Sequence, residues 1–492
     1  MEMASPIGDR ACARLVMLGA SALLLAACGS HTVALKPQDN PNKPQQPLAF
    51  VPPLDTLIGQ TGNGEPVSRI KVIFIHGVGD HCPGYALDGV PSRNGDDADP
   101  SAWLSAHNRA EIGLTPTQPG ASTDVRWYAS PVHGIRPLPG KPAQSALWFA
   151  VAKRSYDFRG RDGRQLRVDA SEITWSGLTQ AFKTQYLGYD TASSLARDTQ
   201  CSTDLSVGAG SPPDSRELVN HGVKETLFDT ALADAVLYMG SYREALQLAV
   251  AYGLCRAIAD TGEDCGGTPD AHTRYLFVTH SLGSRILYDV LLGLHGVGPQ
   301  ATMLQHSGIA RPSSKTVMEV MNATPAIYMM ANQLVLLGLS NLPPDAEPDQ
   351  PPMPFDARRT LNLPVQPGML PPSTAPSPAP RREDFGLRAF AQSPLVQGRT
   401  DTLNIVAFSD INDVLSWGIP SQYLKDETNP DGTSHLRITN VYVRNTPWLP
   451  WLLESPVPAH TGYFNNPDVW RVISRGICGD DQPLSQCQGN AP

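Results

Sequence analysis

Ten residues, Tyr275 to Ser284 (Y-L-F-V-T-H-S-L-G-S), constrain this chain more than any other stretch. Tyr275 to Val278 is a short apolar, β-leaning run, and Thr279 to Gly283 is a turn built mostly of small residues. From Arg285 to Leu294, the residues Ile286, Leu287, Val290, Leu291 and Leu294 then recur at helical spacing. A strand that turns sharply into a buried helix puts Ser281 at the apex with its hydroxyl clear of the backbone. The N–H of Leu282, at the start of that helix, then faces any negative charge that develops beside the serine. Gly283 suits the turn because a side chain there would crowd it against the strand. The usual G-x-S-x-G pattern has Gly where this chain has Thr279. The competing reading is therefore a serine that only caps the helix, and the rest of the chain has to decide.

With 492 residues and 41% hydrophobic content, the chain has enough apolar material for a sizeable core and for a domain carrying long insertions. A net charge of −9 argues against a nucleic-acid-binding surface. The 46 prolines are clustered, which marks long irregular segments.

Ile70 to Ile75 (I-K-V-I-F-I) reads as a strand covered on both faces. It runs straight into His76-Gly77-Val78-Gly79, where glycine permits a close backbone approach and the Val78 N–H is a candidate second donor. Asp80, His81 and Cys82 read as loop and not as a metal cluster, since three adjacent residues do not readily face one ion. Val125 to Ala129 and Glu172 to Trp175 are expected strands. The basic run Arg159 to Arg167 between them reads as a solvated hairpin or loop, with contact to anionic lipid headgroups as the alternative. Leu227 to Ile258 reads as one or two helices, with Leu246, Ala249, Val250, Gly253, Leu254 and Ala257 on one face. Ala326 to Met330 is a further strand, and Asn332 to Leu339 a helix or apolar flap. Pro343 to Arg382 is a proline-dense stretch with little that could pack, read as a flexible insertion over a lid.

Leu403 to Phe408 is a strand that leads into Ser409-Asp410-Ile411-Asn412-Asp413. A carboxylate just past a strand that follows the serine is where an acid partner belongs in chain order. Asp413 is preferred, and Asp410 is the alternative, otherwise a turn cap. After the strand Leu436 to Val443 comes Pro458-Ala459-His460-Thr461-Gly462-Tyr463, a histidine in a small-residue loop with aromatics behind it. His280 is expected to direct its ring away from the reacting face.

With H-G, T-H-S-L-G, N-D-V-L and A-H-T-G-Y in this order, the chain resembles the α/β-hydrolase-fold serine esterases and lipases over about residues 68 to 475. The resemblance implies an α/β fold with a mostly parallel central sheet flanked by helices and interrupted by long Pro-rich loops. It implies that Ser281 is the nucleophile, His460 the base and Asp413 the orienting acid. The Val78 and Leu282 amides, with Gly77 beside them, would hold the oxyanion. It implies an ester or lipid substrate, an acyl-enzyme and no cofactor. The same three side chains would also serve acyl transfer to an alcohol. A non-catalytic envelope scaffold or binding protein is the reading outside enzymology; protein partners are not indicated.

Arg10 and Arg14 precede the apolar stretch Leu15 to Ala27, which is too short to span a bilayer comfortably. Leu25-Ala26-Ala27-Cys28 resembles the lipobox of bacterial lipoproteins. That implies cleavage after residue 27, acylation of Cys28 and anchorage to the membrane of a cell envelope. Gly29 resembles the outer-membrane-directed pattern. Residues 28–67 are then a lipidated cysteine followed by a flexible tether, and 476–492 a C-terminal tail. Of eight cysteines, six lie beyond the signal, an even number that in an exported chain reads as disulfides. Cys255 with Cys265 and Cys478 with Cys487 are close enough to form local loops, leaving Cys82 and Cys201. Fifteen connectivities remain formally open.

Overall fold

The computed structural model describes residues 34–37, 50–59, 64–79, 81–88, 114–117, 122–131, 134–140, 142, 147–160, 163–187, 228, 231–259, 265, 269–297, 301–338, 387–419, 435–445 and 456–478. The signal segment, Cys28, Asp80, Cys201, Cys487 and the insertion at 343–382 lie outside the described residues.

An 11-stranded mixed sheet forms the centre. Its principal strands are β1 (Ala34–Pro37), β2 (Arg69–Ile75), β3 (Asp124–Ala129), β4 (Trp148–Arg159), β5 (Gln165–Thr174), β6 (Thr273–His280), β7 (Ala326–Met330), β8 (Leu403–Asp410) and β9 (Leu436–Val443). They lie in the order β1-β9-β8-β7-β6-β2-β5-β4-β3, with two-residue strands added beside β3 and β4. The block from β9 through β5 is parallel, while β4, β3 and β1 run antiparallel to their neighbours. This is the expected α/β class with a mostly parallel sheet.

The parallel strands are nearly continuous in buried residues because both faces of the sheet are covered. Period two sorts their side chains into two layers. Ile73, Ile75, Phe277, Ile327, Met329 and Ile405 join one apolar cluster together with α3 (Arg243–Ile258) and α4 (Leu282–His295). Phe74, Leu276, Val278, Tyr328, Val406 and Phe408 join the other, under α7 (Pro467–Arg475). The remaining helices used below are α1 (Gly177–Leu187), α2 (Ala233–Met239), α5 (Ser314–Asn322) and α6 (Pro456–Thr461). Among the described residues no helix is long and apolar enough to cross a membrane.

Several expectations shift. The segment Leu227 to Ile258 resolves into α2 and α3, separated at Gly240. β4 had no counterpart in the sequence reading. Its apolar half, Trp148–Ala152, is buried, but the following K-R-S-Y-D-F-R is half exposed and conceals the period in charge. The basic run Arg159 to Arg167 is the β4–β5 hairpin, and Arg167 and Arg69 both pair with Asp169. Parts of the expected tether belong to the fold: β1 closes the free edge of β9, Phe50–Val51 pairs with Ile477–Cys478, and Leu54–Gly59 is helical. An uncapped edge strand is a pairing template, and β1 satisfies that edge from within the chain. Cys255 and Cys265 form the expected disulfide, Cα to Cα 5.1 Å, and Cys82 is also disulfide-bonded.

The turns that leave β2 and β6 are locked together. A Cβ on Gly283 would lie 2.5 Å from the backbone oxygens of Ile75 and His76. Backbone at that distance has nowhere to move. Gly283→Ala is therefore expected to cost more than about 2 kcal/mol in urea unfolding. Gly59→Ala, where a Cβ meets nothing within 4 Å, should stay within about 0.5 kcal/mol of the parent. Equal stabilities would show that the two turns are not in contact.

Candidate active site

All the parallel strands end at the same edge, and the crevice outside those ends is where open α/β sheets place their chemistry. From β2, the chain reaches β5 on one side and β6 on the other, so the strand order reverses beside the β2 and β6 turns. Ser281 sits there, between β6 and α4, with φ 51° and ψ −124°. Positive φ is unfavourable for a residue with a Cβ, costing of order 1–3 kcal/mol unless the surroundings enforce it. Here they do. Ser281 N–H donates to Met330 O at 2.8 Å, and Ser281 O accepts from Ser284 N–H at 3.1 Å. Thr279, in place of the usual glycine, is accommodated because its hydroxyl meets the Ser284 hydroxyl at 2.8 Å inside the turn.

Ser281, His460 and Asp413 come together from three separate elements. His460, on α6, has Nε2 2.9 Å from Ser281 Oγ. Its Nδ1 is 2.9 and 3.0 Å from the two carboxylate oxygens of Asp413. Because a carboxylate only accepts, Nδ1 carries the proton, which leaves Nε2 free to accept from the serine hydroxyl. The three side chains are buried, Ser281 completely.

Asp413 is held in turn. Leu415 N–H donates to Oδ1 at 2.9 Å, and the Tyr463 hydroxyl donates to Oδ2 at 3.0 Å. Burial, and then the Asp413 charge, push the Tyr463 hydroxyl well above its ordinary pKa, so it stays a donor. Asp410 takes the other role foreseen for it: Oδ1 accepts from Asn412 N–H and Oδ2 from Asn445 N–H, capping the turn after β8. The Asp410 N–H donates to Tyr463 Oη at 2.6 Å, so one phenol ties the capping aspartate to the one that meets the histidine.

The turn after β2 approaches the serine closely. A Cβ on Gly77 would lie 2.5 Å from Ser281 Cβ. His76 Nε2 accepts from the N–H groups of Trp175 and Ser176, so its proton is on Nδ1, which donates to Gly77 O at 2.7 Å. His81 Nε2 donates to Val78 O at 3.1 Å, and Gly79 N–H donates to Asp234 Oδ2 at 2.7 Å. From Gly77 O to Gly79 N, the Val78 N–H is left with no partner among the described residues. The Leu282 N–H, in the first turn of α4, has no intrahelical acceptor either. Asp234, on α2, is completely buried and paired with the equally buried Lys183 of α1 at 3.1 Å. No periodicity could have announced that pair, whose members stand 51 residues apart.

His280 departs from expectation. Its ring does not point away but lies beneath His460, centroids 5.1 Å apart, with Nε2 donating to His460 O at 2.8 Å. Among the described residues its Nδ1 has no partner. The ring supports the short helix that carries His460.

Burial holds both His76 and His280 well below the ordinary imidazole pKa, with neighbouring rings (His81 and His460 respectively) adding to the shift. In the unfolded chain each ring takes up a proton as pH falls through about 6.5, while the folded chain keeps both neutral. The unfolded state then binds more protons, so stability is full above that pH and declines below it. The slope approaches about 1.4 kcal/mol per pH unit for each ring. Urea unfolding of His280→Asn between pH 8 and 5 should show a shallower decline than the parent by one ring's share. Superimposable slopes would mean that His280 is protonated in the fold.

No family model, curated protein or solved structure matches the chain.

Proposed function

We propose that the protein is a membrane-tethered serine hydrolase of the esterase and lipase type, belonging with the α/β-hydrolase-fold enzymes it resembles. One observation carries the reading: an unbroken hydrogen-bonded relay, Ser281 Oγ to His460 Nε2 and His460 Nδ1 to Asp413, on a serine held at positive φ. A surface or capping serine needs neither the strain nor the two partners.

In this reading, Ser281 Oγ attacks the carbonyl carbon of an ester while His460 Nε2 takes its proton. The tetrahedral oxyanion is held by the N–H groups of Val78 and Leu282. Collapse breaks the bond to the leaving alcohol, which departs with the proton from His460, and the acyl group stays on Ser281. A water molecule, deprotonated by the same nitrogen, then releases the acid. Asp413 stabilises the imidazolium formed in both steps and fixes its tautomer. Each oxyanion donor contributes about 3 kcal/mol of transition-state stabilisation. His280 matters electrostatically: a charge on it about 5 Å from His460 would oppose the imidazolium by about 3 kcal/mol at an effective dielectric of 20. Its neutrality removes that penalty.

The tether belongs to the same proposal. The Leu25-Ala26-Ala27-Cys28 motif after a basic and apolar leader supports lipidation of Cys28 and residence at the envelope, with outer-membrane anchorage as the Gly29 reading.

A fluorophosphonate that phosphonylates activated serines tests the enzyme. The parent should label one-to-one, and Ser281→Ala and His460→Ala should not label; a folded parent that resists labelling would sink the mechanism. Asp413→Asn should lower kcat about 10³- to 10⁴-fold on a short-chain ester, since it strips the imidazole of its tautomeric control. Asp410→Asn should stay within about tenfold, because it disturbs only the turn. The reverse ranking would reassign the acid. Tyr463→Phe is expected to slow kcat by about tenfold through loss of one hydrogen bond to a charged carboxylate. An unchanged kcat would remove Tyr463 from the site.

A further inference from the structure

The N-terminal strand fixes where the lipid emerges. β1 is antiparallel to β9, with Ala34 opposite Tyr442 and Pro37 opposite Thr439. Tyr442 is one residue from the C-terminal end of β9 and level with Ser409 on β8. The chain therefore enters β1 at the same edge of the sheet at which Ser281, Asp413 and His460 meet. Five residues lie between Cys28 and Ala34, and the six steps from one to the other span at most about 20 Å fully extended. Four strand spacings, about 19 Å, separate β1 from the serine's strand.

The same edge exposes apolar side chains on both sides of the site. α2 is tied to the β2 turn by Asp234 on its inner face. Its outer face presents Leu232, Val236 and Met239 at spacings of four and three, Val236 being 55% exposed. Across the crevice, the loop after β8 presents Ile411, Val414 and Trp417, with Ile411 66% exposed, although Asp413 between them is buried. That loop is pinned, with Trp417 N–H donating to Asn332 O and Asn332 Nδ2 donating to Trp417 O. The basic β4–β5 hairpin stands at the opposite edge, since β5 starts there, and is not part of this face.

We propose that the edge bearing Ser281 rests on the lipid layer that holds the acylated Cys28, with these six apolar residues in contact with it. The chain then acts on esters lying in its own membrane. This rests on the hydrolase and lipoprotein readings above and adds the direction the site faces. A lipid layer is the occupant the observations favour because the anchor leaves from this edge on so short a leash. Exposed apolar side chains at this edge are stabilised by entering the interface.

The test uses the full chain, expressed with its own leader, extracted from membranes and reconstituted into vesicles of phosphatidylethanolamine and phosphatidylglycerol. Part of the phosphatidylethanolamine carries brominated acyl chains, which quench tryptophan on contact. The emission lost on Trp417→Phe substitution is the Trp417 signal. It should be quenched by at least about half, as expected for an indole lying in the interface. The double variant Val236→Asp/Ile411→Asp should lower that quenching. It should also slow turnover of a vesicle-borne fluorogenic ester at least about tenfold, leaving a water-soluble acetate ester within about twofold. A lipidated protein whose Trp417 is not quenched overturns the proposal alone. So does a double variant indistinguishable from the parent on vesicles. Unmodified Cys28 by mass spectrometry overturns the anchor and the proposal with it. Quenching without turnover of either ester supports the docking and removes the hydrolase reading.

Discussion

The structure depends on the contact between the two turns that leave β2 and β6. Adjacent parallel strands lie roughly 4.8 Å apart, so turns departing from the same edge have room for backbone but not for side chains. Gly77 and Gly283 are the two positions where that limit bites: a Cβ on either would come within 2.5 Å of the opposite turn. The contact sets Gly77 against Ser281 and fixes the direction in which α4 starts. It also explains why the strained residue sits where it does. Ser281 and Ala331, with φ of 51° and 52°, are the non-glycine residues at positive φ among those described. Each donates its N–H to a carbonyl within the last three residues of a neighbouring strand, Ser281 to Met330 O and Ala331 to Phe408 O. The ladder thus continues past the ends of β6 and β7, and those bonds hold both residues in a conformation that neither would adopt alone.

Around that contact the polar groups are arranged so that few are charged. His76, stacked on Trp175 and bonded through both nitrogens, is neutral, and so is His280 beside His460. Two buried ion pairs stand nearby, Lys183 with Asp234 and Arg285 with Asp289, the latter also taking a hydrogen bond from Tyr238 at 2.6 Å. Removing one member of such a pair typically costs about 3–5 kcal/mol because its partner is left alone in a poor solvent. These pairs tie α1, α2 and α4 to one another and to the β2 turn, so the backbone donors near Ser281 inherit the rigidity of the helices.

How much of this could be read from the chain depended on whether a feature is local. Strands β2, β6, β7 and β8 are apolar runs bounded by turn residues, and each was legible. The order serine, aspartate, histidine was legible because position relative to strand ends survives without coordinates. Choosing between Asp410 and Asp413 was not settled by local pattern, since both follow the same strand and both suit a turn. What separates them is three residues of loop path and the position of Tyr463, fifty residues later. β4 was lost because Lys153, Arg154, Asp157 and Arg159 break up the apolar pattern of its second half. The Lys183–Asp234 pair, the support of His460 by His280 and the pairing of β1 with β9 are contacts between distant parts of the chain. None of them leaves a periodic trace, and the composition around β1, rich in Pro, Asn and Gln, pointed to an extended tether instead.

The direction of β1 has a consequence out of proportion to its four residues. Six strands are mutually parallel and aim their C-terminal ends at one edge, so a chain joining the sheet as another parallel strand would enter it from the opposite edge. β9 spans eight residues, roughly 26 Å. Had β1 paired parallel to it, the chain would have entered at the opposite edge, the one that carries the β4–β5 hairpin, farther from Ser281 than the six steps from Cys28 can reach. Antiparallel pairing places the start of β1 at the edge that bears Ser281. On the reading that Cys28 carries the lipid, the hydrogen-bond register of one short edge strand sets which face of the protein meets the membrane.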